Sequence, residues 1–156
     1  MPQFRLSLLL CCALLWAALA TPSRAEDGAL GLGLGHSSRF DVIFARGELV
    51  IPLGERCELV PNLEYLRARG VRRFVSSLDL HAKLPWRAVR GHLYGYLGLG
   101  LGVISEDPVG PDASHTSDGQ VNFLGGVAWE GGATPFLELR SDARKVNLTV
   151  GVRLSI

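Results

Sequence analysis

Residues 91–105 read GHLYGYLGLGLGVIS, with Leu97, Leu99, Leu101 and Val103 on one parity and Gly98, Gly100 and Gly102 on the other. Strict alternation marks a strand, whose successive side chains point to opposite faces. The same pattern stands earlier as ALGLGLGH, at 29–36. Sorting the whole chain this way predicts strands at 28–36, 39–53, 57–67, 73–84, 91–105, 119–130, 135–141 and 145–156, each bounded by turn residues. No amphipathic helix is predicted after residue 25.

On the last strand Val146, Leu148, Val150, Val152, Leu154 and Ile156 oppose Asn147, Thr149, Gly151, Arg153 and Ser155. On the fourth, Phe74, Leu78, Leu80, Ala82 and Leu84 oppose Ser77, Asp79, His81 and Lys83. On the seventh, Leu137 and Leu139 oppose Glu138 and Arg140, and on the third Leu59, Leu63 and Tyr65 oppose Glu58, Asn62 and Glu64. The second strand is mixed, because Val42, Phe44 and Val50 share the parity of Arg46 and Glu48.

This alternation fits two architectures. In a soluble barrel the apolar face is the core and encloses a small apolar ligand; in a transmembrane barrel it meets lipid and the polar face fills the interior. The glycines favour the second. Glycine weakens a strand, yet two strands carry it at three successive positions of one face. Inside an eight-stranded barrel, barely wide enough for its own side chains, bare positions leave room for long inward residues. The expected inward charges are Arg46, Lys83, Arg140 and Arg153 with Glu48, Glu64, Asp79 and Glu138. In the opposite register an arginine or lysine would meet lipid, at roughly 2–4 kcal/mol near the midplane. The expected fold is therefore all-β, an eight-stranded antiparallel up-and-down transmembrane barrel with a charged, plugged lumen.

The first 25 residues change the picture of where this barrel resides. Arg5 precedes an apolar run from Leu6 to Ala20, followed by small-residue exits ending at Ala20 and Ala25. That is the layout of a cleaved signal peptide, so the expected organisation is a leader at 1–25 and a barrel domain at 26–156. Removing Arg5 and Arg24 leaves 14 basic side chains against 15 acidic, a balance with no nucleic-acid footprint. Cys57 alone remains of the three cysteines, so no internal disulfide is expected.

The segments YGYLGLGLGVIS, VNFLGGVAWEGGATPFLELRSD and VNLTVGVRLSI resemble the carboxy-terminal half of small bacterial outer-membrane barrels of the OmpA-like, OmpX-like and opacity-protein kind. The resemblance implies a monomer integral to the outer membrane, contacting outer-membrane lipid and the outer-membrane assembly machinery. Members usually end in Phe or Trp, which that machinery reads; here Ile156 stands last. Trp86, Trp129, Tyr65, Phe40 and Phe74 fall near strand ends, where aromatic girdles sit.

Candidate chemistry is sparse. The glycine runs lack the spacing of a phosphate loop, the four histidines lack metal-ligand spacing, and Glu106, Asp107, Asp112 and Asp118 lack calcium-loop spacing. No cofactor or metal is expected. Arg67, Arg69, Arg72 and Arg73 cluster at one turn, and bidentate guanidinium chemistry suits lipopolysaccharide phosphates there. His115-x-Ser117, with Glu130 as the downstream acid, resembles the His-x-Ser of outer-membrane lipid A deacylases. In that family the motif lies nearer the last strands. Here it falls in a stretch rich in Pro, Asp and Ser that reads as a loop. The expectation is a protein that is not an enzyme.

Overall fold

The computed structural model describes residues 28–68, 70–89, 92–108, 115–142 and 145–156. The expected leader and its cleavage point, Arg69 and Asp112 lie outside them. Among the described residues eight strands close into one barrel with every neighbour antiparallel. They are β1 (Ala29–Ser37), β2 (Val42–Pro52), β3 (Cys57–Ala68), β4 (Val71–Ala88), β5 (Leu93–Pro108), β6 (Thr116–Trp129), β7 (Ala133–Asp142) and β8 (Lys145–Ser155). β1 pairs with β8, and Ile156 N donates to Gly28 O at 2.8 Å to finish the closure. No edge remains to recruit a foreign strand. The start of β1 and the end of β8 share one rim, the terminal rim, with connections 53–56, 89–92 and 130–132. The opposite, loop rim carries 38–41, 69–70, 109–115 and 143–144.

Along the middle of the wall most leucines face out and the strand charges face in. Leu32, Ile43 and Leu101 are 71%, 70% and 68% exposed, whereas Asp79 and Glu138 are 0% and 1%. Phe44 and Val50, the apolar residues on the charged parity of β2, are buried inside. The soluble reading needs a leucine-lined cavity, and the outward leucines remove it.

The glycine faces of β1 and β5 do sit against inward side chains. A Cβ on Gly31 would meet Glu48, and one on Gly100 would meet Asp79. Charge is only half of the reason, however. Gly35 lies under the Phe44 ring, Gly126 under Tyr96 and Gly151 under Phe136, so the bare positions accommodate aromatic rings as much as ionic groups.

Three expected turns are shorter than their composition suggests. Strand β4 continues through 85–88, with the register shifted between Lys83 and Arg87; the bulged segment lays Trp86 and Leu84 over Gly95. Of the expected loop 106–118, β5 takes the residues up to Pro108 and β6 those from Thr116. The 68–72 turn contracts to 69–70, where Gly70 takes a φ of 80°. Ladder hydrogen bonds continue beyond the apolar band, where the hairpin connection rather than alternation fixes the register.

The β2–β3 ladder is interrupted as well. Between β2 and β3 the pairs run from Ala45–Tyr65 to Glu48–Asn62 and resume at Ile51–Leu59, leaving the level of Val60 and Pro61 unpaired. Proline has no N–H to donate, and Asn62 Nδ2 instead donates to Val60 O at 3.1 Å.

These contacts predict a contrast between two glycines. Gly35→Val should cost about 1–3 kcal/mol by overpacking against Phe44. Gly47→Ala, on the outer face with only Leu32 at 4.0 Å, should stay within about 0.5 kcal/mol. Urea unfolding in lipid followed by tryptophan fluorescence reads both; equal midpoints would sink the packing account.

Candidate functional site

The interior is a column of ion pairs assembled from strands distant in sequence. Arg46 on β2 donates from Nη1 to Glu138 Oε1 on β7 at 2.5 Å, and its Nη2 lies 2.8 Å from Glu48 Oε2 and 3.7 Å from Asp79 Oδ2. Arg140 on β7 pairs with Asp79 and reaches Glu138 Oε1 at 3.3 Å and Ser77 Oγ at 3.0 Å. Its Nε stands 3.8 Å from Glu64 Oε1. Arg153 on β8 donates from Nε to Glu48 Oε1 at 2.6 Å. Its guanidinium lies over the Phe136 and Tyr96 rings, 4.6 and 5.3 Å from their centroids.

Neutral groups complete this cluster. Tyr96 donates to Glu138 Oε2 at 3.0 Å, Asn62 Nδ2 to Asp79 Oδ2 at 2.7 Å, and Ser77 Oγ to Asn62 Oδ1 at 2.8 Å. Charged hydrogen bonds of this kind, taken out of water, are strong locally but carry a heavy desolvation cost. A cavity of about 10 Å³ beside Phe44, Glu64, Arg73 and Asn147 leaves little open volume at that level.

The structure thus brings together seven of the eight residues expected inside: Arg46, Glu48, Glu64, Asp79, Glu138, Arg140 and Arg153. Lys83 sits apart, nearer the terminal rim, where Nζ is 2.9 Å from Glu58 Oε1. The expected inward charges left out Glu58 and His81, though both stood on the polar faces, and Tyr96, on which the His81 ring stacks at 4.9 Å. All three share the inward parity of their strands, which was the available signal.

The arginine cluster at the loop rim divides. Arg73 turns inward and is buried, 3.4 Å from Glu106 Oε1 and under the Phe40 ring; it is withdrawn from any surface contact. Its odd parity on β4, shared with Ser77 and Asp79, explains this, since Phe74 beside it points out. Phe40, expected in a girdle, packs over the mouth of the barrel against Phe44, Leu66 and Ala68. Arg67 and Arg72 face each other across β3 and β4 on the outside. Just within them the Tyr65 and Phe74 rings lie 4.8 Å apart. At the terminal rim Trp86 and Trp129 are exposed, with His92 stacked on Trp129.

The His-x-Ser motif also moves. Ser117 belongs to β6 rather than to a loop. Glu130, its expected acid, stands at the terminal rim paired with Arg87. His115 Nδ1 instead lies 2.5 Å from Asp107 Oδ1. Only the register of β5 against β6 could have revealed this partner.

No protein-family model matches the chain, and no curated protein matches its sequence. Solved structures do match in shape. The N-terminal β-barrel domain of Pseudomonas aeruginosa OprF superposes with a TM-score of 0.64 at 15% identity, covering 83% of this chain and 98% of that one. Neisserial surface protein A superposes with 0.61 at 12% identity, covering 83% and 95%. A de novo designed transmembrane β-barrel gives 0.63 at 7% identity, covering 87% and 100%. The fold is therefore that of the transmembrane β-barrels. Within it, this chain has the fold of the small eight-stranded outer-membrane barrels of the OmpA-like type.

The ion-pair geometry generates a test. Glu138→Ala leaves Arg46 and Arg140 facing each other with one carboxylate fewer, and should cost about 3–5 kcal/mol. Glu55→Ala, in the exposed 53–56 turn, should change stability by less than about 0.5 kcal/mol. Unfolding midpoints in lipid that match for both variants would count against an interior held by charge.

Proposed function

We propose that this chain is a monomeric integral barrel of the bacterial outer membrane, exported by a cleaved signal peptide, with a lumen plugged by its own side chains. The observation that carries this reading is the separation of faces: an outer surface of leucine, valine and isoleucine around an interior holding Arg46, Asp79, Glu138, Arg140 and Arg153. Water on the outside would oppose that arrangement; lipid favours it. The Tyr65–Phe74 pair and the two exposed tryptophans stand near opposite rims, where an aromatic belt meets the headgroups.

With side chains filling its interior, a barrel of this size has no aqueous pore. Its role is then structural, adhesive or protective, exercised at whichever rim faces the cell exterior. The likeness to a neisserial surface protein supports placing that role at the surface. The outer-membrane assembly machinery inserts the barrel. Nothing in this reading requires catalysis, a metal or a cofactor. Arg67 and Arg72, paired on the outside just beyond an aromatic pair, suit the phosphates of lipopolysaccharide.

Fractionation of expressing cells should place the protein in the outer-membrane fraction, with a band that shifts between unheated and boiled detergent gels. A soluble periplasmic band without a shift would overturn the reading. In the purified barrel, Arg67→Gln with Arg72→Gln should weaken lipopolysaccharide binding about tenfold or more, as two charged contacts are lost. Unchanged binding would remove the phosphate contact while leaving the membrane assignment intact.

A further inference from the structure

Below Phe40, inside the mouth at the loop rim, the cavity of about 10 Å³ is bounded by side chains from β8, β1, β2, β3 and β4. Phe44, Leu66 and Val75 give it apolar walls; Ser37, Glu64, Arg73 and Asn147 give it polar ones. Glu64 and Asn147 are only 6% and 8% exposed. Glu64 Oε1 and Asn147 Oδ1 nevertheless accept no hydrogen bond from any described group. Arg140 Nε stands 3.8 Å from Glu64 Oε1, near enough to attract it and too far to hydrogen-bond. A buried acceptor left unpaired is costly. Two of them on residues that line one cavity ask for a shared donor.

We propose that this cavity binds a single water molecule, which donates one hydrogen to Glu64 Oε1 and the other to Asn147 Oδ1, and that Phe40 closes its way out. The volume is about that of one water-sized sphere. The chemistry excludes the rivals. Two acceptors, one of them a carboxylate, repel an anion. A cation would lie beside the Arg73 and Arg140 guanidiniums and be repelled by both. Water supplies two donors, and its oxygen remains to accept from the Ser37 hydroxyl or from Arg73. It also joins β3 to β8 across the mouth, two strands that β1 and β2 separate along the wall.

The exit is set by what lies above and below. Above, the 38–41 turn lays Phe40 on Phe44 and Leu66, two of the cavity's walls. The turn is fastened to β8 twice: Ser38 N donates to Val146 O at 3.3 Å, and Val146 N donates to Ser38 Oγ at 3.0 Å. The Arg39 and Arg73 guanidiniums lie 5.0 and 5.4 Å from the Phe40 ring centroid. Below, Arg140 and its carboxylates close the column. The water therefore exchanges with solvent when Phe40 lifts. The inference needs the closed barrel and not the membrane around it, so a soluble location would leave it standing.

The test uses the purified protein folded in detergent micelles, with water-to-methyl NOEs at Leu66 and Val75 as the readout. Both methyl pairs belong to cavity walls and neither side chain carries an exchangeable proton. A held water gives them NOEs of the same sign as the protein's own protons. These are expected in the parent protein and in Ser37→Ala, which removes a hydroxyl able to imitate them. They should vanish in Asn147→Leu, whose side chain fills a similar space without the acceptor, and weaken in Phe40→Ala as exchange quickens. Heat-shifted migration confirms the fold of each variant independently. Folded parent protein without these NOEs overturns the proposal. So does their loss in Ser37→Ala, or their full persistence in Asn147→Leu. Undiminished NOEs in Phe40→Ala overturn the exit route alone.

Discussion

Arg46 and Glu138 meet 92 residues apart in sequence, and this contact shows the constraint under which the molecule is built. An outer face made of hydrocarbon offers no partner to a charge, so charged side chains on the membrane-crossing strands must satisfy one another inside. That requirement couples β2, β4, β7 and β8 through Arg46, Asp79, Glu138, Arg140 and Arg153. It also acts on residues that carry no charge. Tyr96, Asn62 and Ser77 are oriented by carboxylates and guanidiniums, and the glycines of β1 and β5 are bare because something large stands opposite. Buried ion pairs of this kind define which register is allowed more than they add to stability. A slip by one residue would turn Arg46, Arg140 and Arg153 to the outer face.

The two rims differ in chemistry. At the terminal rim the connections are short and tryptophan dominates. Toward the loop rim β6 continues past the end of β7, and arginine, aspartate, histidine and serine occupy the outer face above the apolar band. Such extensions are stable because ladder hydrogen bonds and hairpin closure carry them without help from lipid. They place polar groups in rows at the strand spacing, which is an ordered way to present chemistry at a surface otherwise made of loops.

Much of this was readable from alternation. Parity separated lipid-facing Leu97, Leu99 and Leu101 from the interior, and it placed Glu138 and Arg140 correctly with no knowledge of their partners. Where it faltered, the physical reason can be named. The mixed second strand is mixed because the interior holds rings as well as charges, and Phe44 fits only where Gly35 makes room. Strand ends were misjudged because polar hairpin extensions look like loops when hydrophobicity is the guide. The division of Arg72 from Arg73 is a matter of one residue of parity near a turn, where the eye reads a cluster. Asp107 as the partner of His115 depends on register between two strands, and register is set by the whole barrel.

The interrupted ladder at Pro61 has a mechanical meaning. A closed barrel resists tearing because its seams share load along continuous rows of hydrogen bonds, and a seam missing a row concentrates stress there. Asn62, spanning from its own side chain to Val60 O, patches the carbonyl but ties β3 to itself rather than to β2. Along the β2–β3 wall this gap is bridged only indirectly, because Arg46 and Glu48 on β2 reach across the interior to Glu138 on β7 and Arg153 on β8.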